Sequence, residues 1–317
     1  MTTRRTAKIG IIGAGSVGAT IAYAAMIRGV ARQISLYDIV PTKVHAEVLD
    51  LNHGMLFVPP GSVEGSDDIE VLRGCDVIVM TAGAKQRPGQ TRIDLAAVNA
   101  SICAKLLPRV VQVAPDALLL LVTNPVDVIT QVVLKVTGLP AERVFGSGTV
   151  LDSSRFRFLI AERCSVAVQN VHAYITGEHG DSEFPLWSSA SIGSVPVRGW
   201  KMPGHGEIGP QDEQNLFDSV RTSAEKIIEG KGATNYAIGL AVSTILQAIL
   251  WNEGRVLPVS SLLADYRGIS DICLSVPSIV GHRGVEGQLP IPMNDAEVSS
   301  LHTSAEAIRH VISSLGF

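Results

Sequence analysis

The sequence predicts an α/β protein in two parts. A doubly wound parallel sheet occupies residues 1–147, and an α+β domain with antiparallel strands occupies residues 148–317. Three observations predict it. Short, continuously apolar runs alternate with helical stretches through the first half. A glycine-rich turn, Gly13-Ala14-Gly15-Ser16-Val17-Gly18, joins the first such run to a helix. Beyond residue 148, scattered short strand signals and long helices replace the alternation.

Residues 7–13 form the first buried strand, and the glycine turn opens a helix that runs to about Gly29. Gln33-Ile34-Ser35-Leu36-Tyr37-Asp38 is a second strand ending in an acid, 20 residues after Gly18. Glycines at this spacing, between a strand and a helix and followed by that acid, indicate Rossmann-type dinucleotide binding. The glycines admit a pyrophosphate to the backbone, and the helix N-terminus offers it N–H groups. Asp38 would accept hydrogen bonds from ribose hydroxyls and repel a 2′-phosphate, which favours NAD over NADP. A glycine-rich turn also occurs in methyltransferases, so the turn alone leaves the cofactor open.

A helix follows from Pro41 to about Gly54, and strands follow at 76–81, 117–123 and 143–146. In parallel sheets ligands lie beyond the carboxyl ends of the strands. Gly13, Asp38, Thr81, Gly83, Thr123 and Asn124 should therefore line one crevice. The polar stretch from Thr81 to Leu95 contains Gln86, Arg87 and Arg92, with Pro88-Gly89 as punctuation. It reads equally as a lid or as a solvated loop, with a helix beginning near Arg92.

Gly148-Thr149-Val150-Leu151-Asp152-Ser153-Ser154-Arg155 opens the first helix of the second half. Asp152 and Arg155 share a face, which is compatible with a surface ion pair or with a site. Asn170 to Ile175 reads as one strand. It delivers His179 into a loop bounded by Gly177 and Gly180. Strands are expected around 188–197, 257–261 and 270–276, and helices over 211–229, from Lys231, and after Asn294. The last helix carries Val298, Leu301, Ala305, Ile308 and Ile312 on one apolar face.

Composition limits the function classes. The chain has 317 residues, 46% hydrophobic and 18% charged, enough for a sizeable core. A net charge of -4 points to neither nucleic acid nor a membrane surface. Residues 1–8 are polar and the next apolar run is broken by glycines, so no signal or membrane-spanning segment is expected there. Cys75, Cys103, Cys164 and Cys273 form no CxxC pair, which favours reduced thiols in a cytoplasm and no metal site.

The glycine turn, Thr123-Asn124-Pro125-Val126-Asp127, the 148–155 segment and Gly177-Glu178-His179-Gly180-Asp181-Ser182 together resemble the lactate/malate dehydrogenase family. The resemblance spans essentially the whole chain and is nearest to the family's bacterial lactate-specific members. It implies reversible hydride transfer between L-lactate/pyruvate and NAD+/NADH. His179 would carry the proton, and Asp152 would fix its tautomer. Arg155 would grip the substrate carboxylate, and Arg92 would polarise the carbonyl. Asn124 would position both carbonyl and histidine. Thr234 and Ile238 would shape the pocket, Ile238 against the nicotinamide. The cofactor would lie along Gly13, Gly15, Val17, Gly18, Asp38, Thr81, Gly83, Thr123 and Asn124.

Family members acting on malate carry arginine where this chain has Gln86, a neutral amide suited to a methyl group. Arg87 stands beside it and leaves that selection open. Arg157 and His172 match positions that bind fructose 1,6-bisphosphate in allosteric members; without a ligand they are a helix arginine and a strand histidine. The resemblance also implies a homotetramer. Rival readings are a malate dehydrogenase of the same family, an NAD-dependent glycoside hydrolase and a non-catalytic NAD-binding regulator.

Overall fold

The structure is a computed structural model that describes residues 6–84, 91–201 and 206–317, with Arg92 through its backbone alone. The first half alternates β1 (Lys8–Ile12), α1 (Ser16–Arg28), β2 (Gln33–Tyr37), α2 (Pro41–His53), β3 (Ser62–Ser66), β4 (Val77–Met80), α3 (Arg92–Val113), β5 (Leu118–Leu121), α4 (Val126–Thr137) and β6 (Val144–Gly146). The second contains α5 (Val150–Cys164), β7 (Val171–His172), β8 (Ile175–Thr176), β9 (Phe184–Pro185), β10 (Ser191–Ile192) and β11 (Val195–Pro196). It continues with α6 (Pro210–Lys231), α7 (Tyr236–Leu250), β12 (Arg255–Leu262), β13 (Cys273–Gly281), β14 (Gly284–Gln288) and α8 (Asp295–Ser314).

Strands β3-β2-β1-β4-β5-β6 lie side by side and parallel. Val-Ile-Val-Met in β4 and four leucines in β5 are buried throughout, because helices cover both faces of the sheet. One face packs on α1 and α7, the other on α3 and α4. Chain order reverses between β1 and β4, which opens a crevice at the carboxyl ends of these strands.

The sheet does not stop at β6. Strands β12, β13 and β14 extend it to nine strands, joined antiparallel through Ser260 opposite Gly146. Helix α7 folds back onto α1. A Cβ at Gly239 would come within 2.6 Å of Thr20 Cγ2, so the two helices meet nearly backbone to backbone. Asn235 Nδ2 donates to Thr20 Oγ1 at 2.9 Å beside that contact.

Local signals set the helix ends. Thr91 and Asp94 form a capping box on α3, and Asn294 and Glu297 form one on α8. Leu301, Ala305, Ile308 and Ile312 are buried as their spacing requires, with Val298 half-buried at the margin.

Four expectations are corrected. Residues 170–175 are not one strand: β7 pairs with β10, whereas β8 pairs with β9 in another sheet. The alternation of buried Val171, Ala173 and Ile175 is regular, but the chain changes partners at Ala173-Tyr174. The strand expected over 270–276 starts at Cys273, runs to Gly281 and returns as β14. The helix expected from Lys231 starts at Tyr236, because Lys231 closes α6 and Gly232 turns left-handed. The strand expected around 188–197 is two two-residue strands that pair antiparallel across a turn at Gly193-Ser194, where both residues have positive φ, after Trp187–Ser189 coil into a 3-10 turn.

Candidate active site

The crevice holds two groups of residues. At its nucleotide end, Gly13 has φ +100 and donates its N–H to Tyr37 O at 2.7 Å. A Cβ there would lie 2.9 Å from Ala82 N, and one at Gly18 would lie 1.9 Å from Gly13 O. Gly15 is different. A Cβ on it would meet nothing nearer than Lys43 Nζ at 3.7 Å, so its surface faces open space at the start of α1. Two glycines therefore close the turn while the third leaves it approachable, the shape a pyrophosphate needs. Val17 packs half-buried against the core.

Asp38 stands at the end of β2. Its Oδ2 accepts the Ala14 N–H at 2.7 Å and its Oδ1 accepts the Val40 N–H at 3.1 Å. Lys43 Nζ is 3.8 Å away. A carboxylate in this place meets ribose hydroxyls favourably and a 2′-phosphate unfavourably, so the residues fit NAD.

Thr81 Oγ1 donates to Ile12 O at 2.8 Å, and Thr123 Oγ1 to Ala82 O at 2.9 Å. Gly83 lies against Thr123 and Asn99. Asn99, on α3 and 1% exposed, ties the strand ends together. Its Oδ1 accepts the Ala84 N–H at 2.7 Å and its Nδ2 donates to Asn124 O at 2.7 Å. Sequence reasoning missed Asn99; an amide on the inner face of α3 was the available signal. Asn124 itself is exposed beyond β5.

At the other end, α5 presents Asp152 from its first turn. Asp152 Oδ2 lies 2.6 Å from His179 Nδ1, and its Oδ1 accepts from Arg155 Nη1 at 2.8 Å. The Asp152–Arg155 pair is thus not a surface contact: the side chains are 3% and 13% exposed. Burial alone would raise Asp152, but the His179 and Arg155 charges outweigh it and hold the carboxyl below its usual value. The Asp152 charge raises His179 to about 9, against the opposing effect of burial.

The His179 backbone N–H donates to Asp127 Oδ2 at 2.8 Å, and Ser275 Oγ donates to Asp127 Oδ1 at 3.2 Å. Asp127 is 1% exposed, and burial pushes it up to about 6. It belongs to the 123–127 motif, yet sequence reasoning gave it no role of its own. Glu183 was missed as well. It is buried beside the pair, and ligand atoms of Asp152, His179 and Glu183 lie within 4.8 Å of one another. The grouping joins side chains from stretches that no local motif connects. Both Asp152 oxygens are already engaged by His179 and Arg155.

Thr234 and Ile238 lie half-buried at the start of α7, and Ile238 packs on the core of the first half. Arg92 opens α3, with its side chain outside the described residues; Gln86 and Arg87 lie outside them entirely. Arg157 and His172 come together elsewhere. Arg157 Nε donates to Val171 O at 2.6 Å, and its Nη2 lies 3.3 Å from His172 Nδ1. No helix among the described residues is long and apolar enough to cross a membrane.

Comparison with known proteins agrees with this geometry. Residues 7–146 match the NAD binding domain of lactate/malate dehydrogenases, and residues 149–315 match their alpha/beta C-terminal domain. An L-lactate dehydrogenase of Bifidobacterium animalis subsp. lactis is 52% identical over 311 residues, covering 98% of this chain and 97% of the relative. One from Acetivibrio thermocellus is 44% identical, covering 97% of each. Among solved structures, a lactate dehydrogenase from a deep-sea metagenome library superposes with a TM-score of 0.94 at 36% identity, covering 99% of this chain and 100% of its own. The minor L-lactate dehydrogenase of Enterococcus mundtii, in a ligands-bound form, gives 0.93 at 38% identity and 98% coverage of each chain. With a nucleotide cradle at one end of the crevice and an imidazole paired to a buried carboxylate at the other, the chain belongs to the lactate/malate dehydrogenase family and is an NAD-dependent oxidoreductase.

Proposed function

We propose that the chain interconverts L-lactate and pyruvate. The observation that carries this reading is the Arg155–Asp152–His179 chain of contacts, at 2.8 and 2.6 Å. Asp152 accepts from Nδ1, which leaves Nε2 to give or take the reacting proton. Arg155 presents its guanidinium plane to the substrate carboxylate, and Arg92 stabilises charge developing on the C2 oxygen. Asn124 orients the carbonyl, while Thr234 and Ile238 bound the methyl side of the pocket. Bound along Gly13, Gly15, Gly18 and Asp38, NAD supplies hydride acceptance. Residues 1–147 hold the nucleotide and lend Arg92 and Asn124 to the substrate, and residues 148–317 complete the substrate site.

Pyruvate rather than oxaloacetate follows from Gln86 and from the L-lactate dehydrogenase relatives. A second carboxylate beside a neutral amide in a closed site costs several kcal/mol, on the order of 3–5. The test is a steady-state panel of 2-oxo acids with NADH. Pyruvate should be preferred, and Gln86→Arg should shift preference toward oxaloacetate. Preference for oxaloacetate in the unaltered enzyme would return the malate reading. Family membership sets aside both the glycoside hydrolase and the non-catalytic regulator.

A regulatory reading rests on the contact between Arg157 and His172. An arginine and a histidine 3.3 Å apart offer a phosphate N–H donors, and fructose 1,6-bisphosphate would activate by preferring the form that binds pyruvate. Unchanged pyruvate saturation curves with the effector, on both sides of neutral pH, would end this reading. Leu56 and Phe57 stand 86% and 82% exposed beside α2, which supports self-association, and the family resemblance makes the expected assembly a homotetramer; light scattering on the eluted protein measures it. Four free, buried cysteines are consistent with a reducing, cytoplasmic setting.

A further inference from the structure

Glu183 is a buried acid beside His179 that the reaction above leaves idle. It follows the histidine loop, just ahead of β9, and is 7% exposed. Its carboxyl lies within 4.8 Å of both an Asp152 oxygen and a His179 ring nitrogen. Among the described residues nothing hydrogen-bonds that carboxyl. A buried carboxyl without donors resists ionisation. Burial, then the Asp152 charge, raises Glu183 to about 8, against the pull of His179, Arg155 and Arg221. The groups facing it come from several elements: Asp152 and Arg155 on α5, His179 on its own loop and Arg221 on α6. Asp127 on α4 lies behind the histidine backbone.

We propose that Glu183 is a positioning residue acting through His179, a proton reserve whose ionisation keeps the imidazole charged further into alkaline solution than Asp152 alone would. Two acids this close titrate as a pair in two macroscopic steps. As pH rises the pair loses one proton to solvent, and in the singly protonated pair the attraction of opposite charges favours carboxylate beside imidazolium. The carboxylate left behind then holds the second proton on the ring. Pyruvate reduction needs the charged ring and lactate oxidation the neutral one, so both pH profiles depend on this acid. The inference rests on His179 as the proton carrier.

Glu183→Gln tests it. In pyruvate reduction, the alkaline fall of kcat/KM should move about one pH unit lower, and the acid limb of lactate oxidation should move with it. Plateau kcat should stay within about threefold. A merely structural role would lower stability and kcat at every pH and leave both limbs in place, which overturns the proposal. A measurement on the unaltered enzyme covers a variant that does not fold. Diethyl pyrocarbonate modifies only the neutral ring, and mass spectrometry follows it at His179. Its pH dependence should span more than one proton step; a single-proton curve overturns the proposal. The two readings separate cleanly. Turnover in His179→Ala would remove the proton carrier itself, whereas an inactive His179→Ala with unmoved limbs in Glu183→Gln would remove the Glu183 inference alone.

Discussion

The two ends of the crevice are built from different material. At the nucleotide end, backbone makes the shape: a turn too tight for side chains at Gly13 and Gly18 and open at Gly15. At the histidine end, side chains make it. Asp127, Asp152, His179, Glu183 and Ser275 come from stretches nearly 150 residues apart and meet in a mostly buried cluster. A backbone site tolerates loss of charge but not added volume. A side-chain site tolerates neither, because each buried charge depends on the next for its protonation state.

The largest effect that separates the two ends is expected from His179→Ala. Turnover should fall about 10³-fold or more, while NADH affinity, followed by fluorescence titration, stays within about twofold. A parallel loss of NADH binding would show that the ends are not independent. Asp152→Asn should follow, with kcat/KM down about 10²-fold. Here the sign is definite. Asp152 is the largest of the charges that raise His179 from 6.5 to about 9, so removing its charge lowers the pH at which the ring loses its proton. The alkaline limb of pyruvate reduction should therefore move down toward 6.5, and an unmoved limb would remove Asp152 from this role.

Gly15→Ala probes the other end and should do least to the fold. The added methyl meets only Lys43 Nζ at 3.7 Å, so thermal stability should change little. NADH affinity should fall about tenfold, because the methyl occupies the pyrophosphate's approach, with kcat at saturating NADH preserved. Unchanged affinity would mean the cofactor passes elsewhere.

The same contrast explains what could be read from residues alone. The glycine turn, Asp38 and strands β1, β2, β4 and β5 are encoded within short windows, where periodicity and spacing suffice. Asp152 and His179 were legible only through motifs shared with a family; nothing local says that residues 27 apart meet at 2.6 Å. Asn99 and Glu183 carry no motif. Their importance arises from burial next to partners that tertiary packing selects, the Ala84 and Asn124 backbone for one and Asp152 and His179 for the other. The break between β7 and β8 was hidden for a related reason. Alternating burial reports which face points inward, not which strand lies alongside.

Strands β12 to β14 stitch the second half onto β6, and α7 clasps α1 from across the molecule. Neither half is therefore a detachable module. A fragment ending at residue 147 would bare the flank of β6 and uncover the apolar side of α1, and it should self-associate on dilution from denaturant. Recombination between relatives would have to transplant residues 236–288 together with the partner surfaces they cover. Substrate preference in this scaffold is thus more readily retuned by point changes than by exchanging halves.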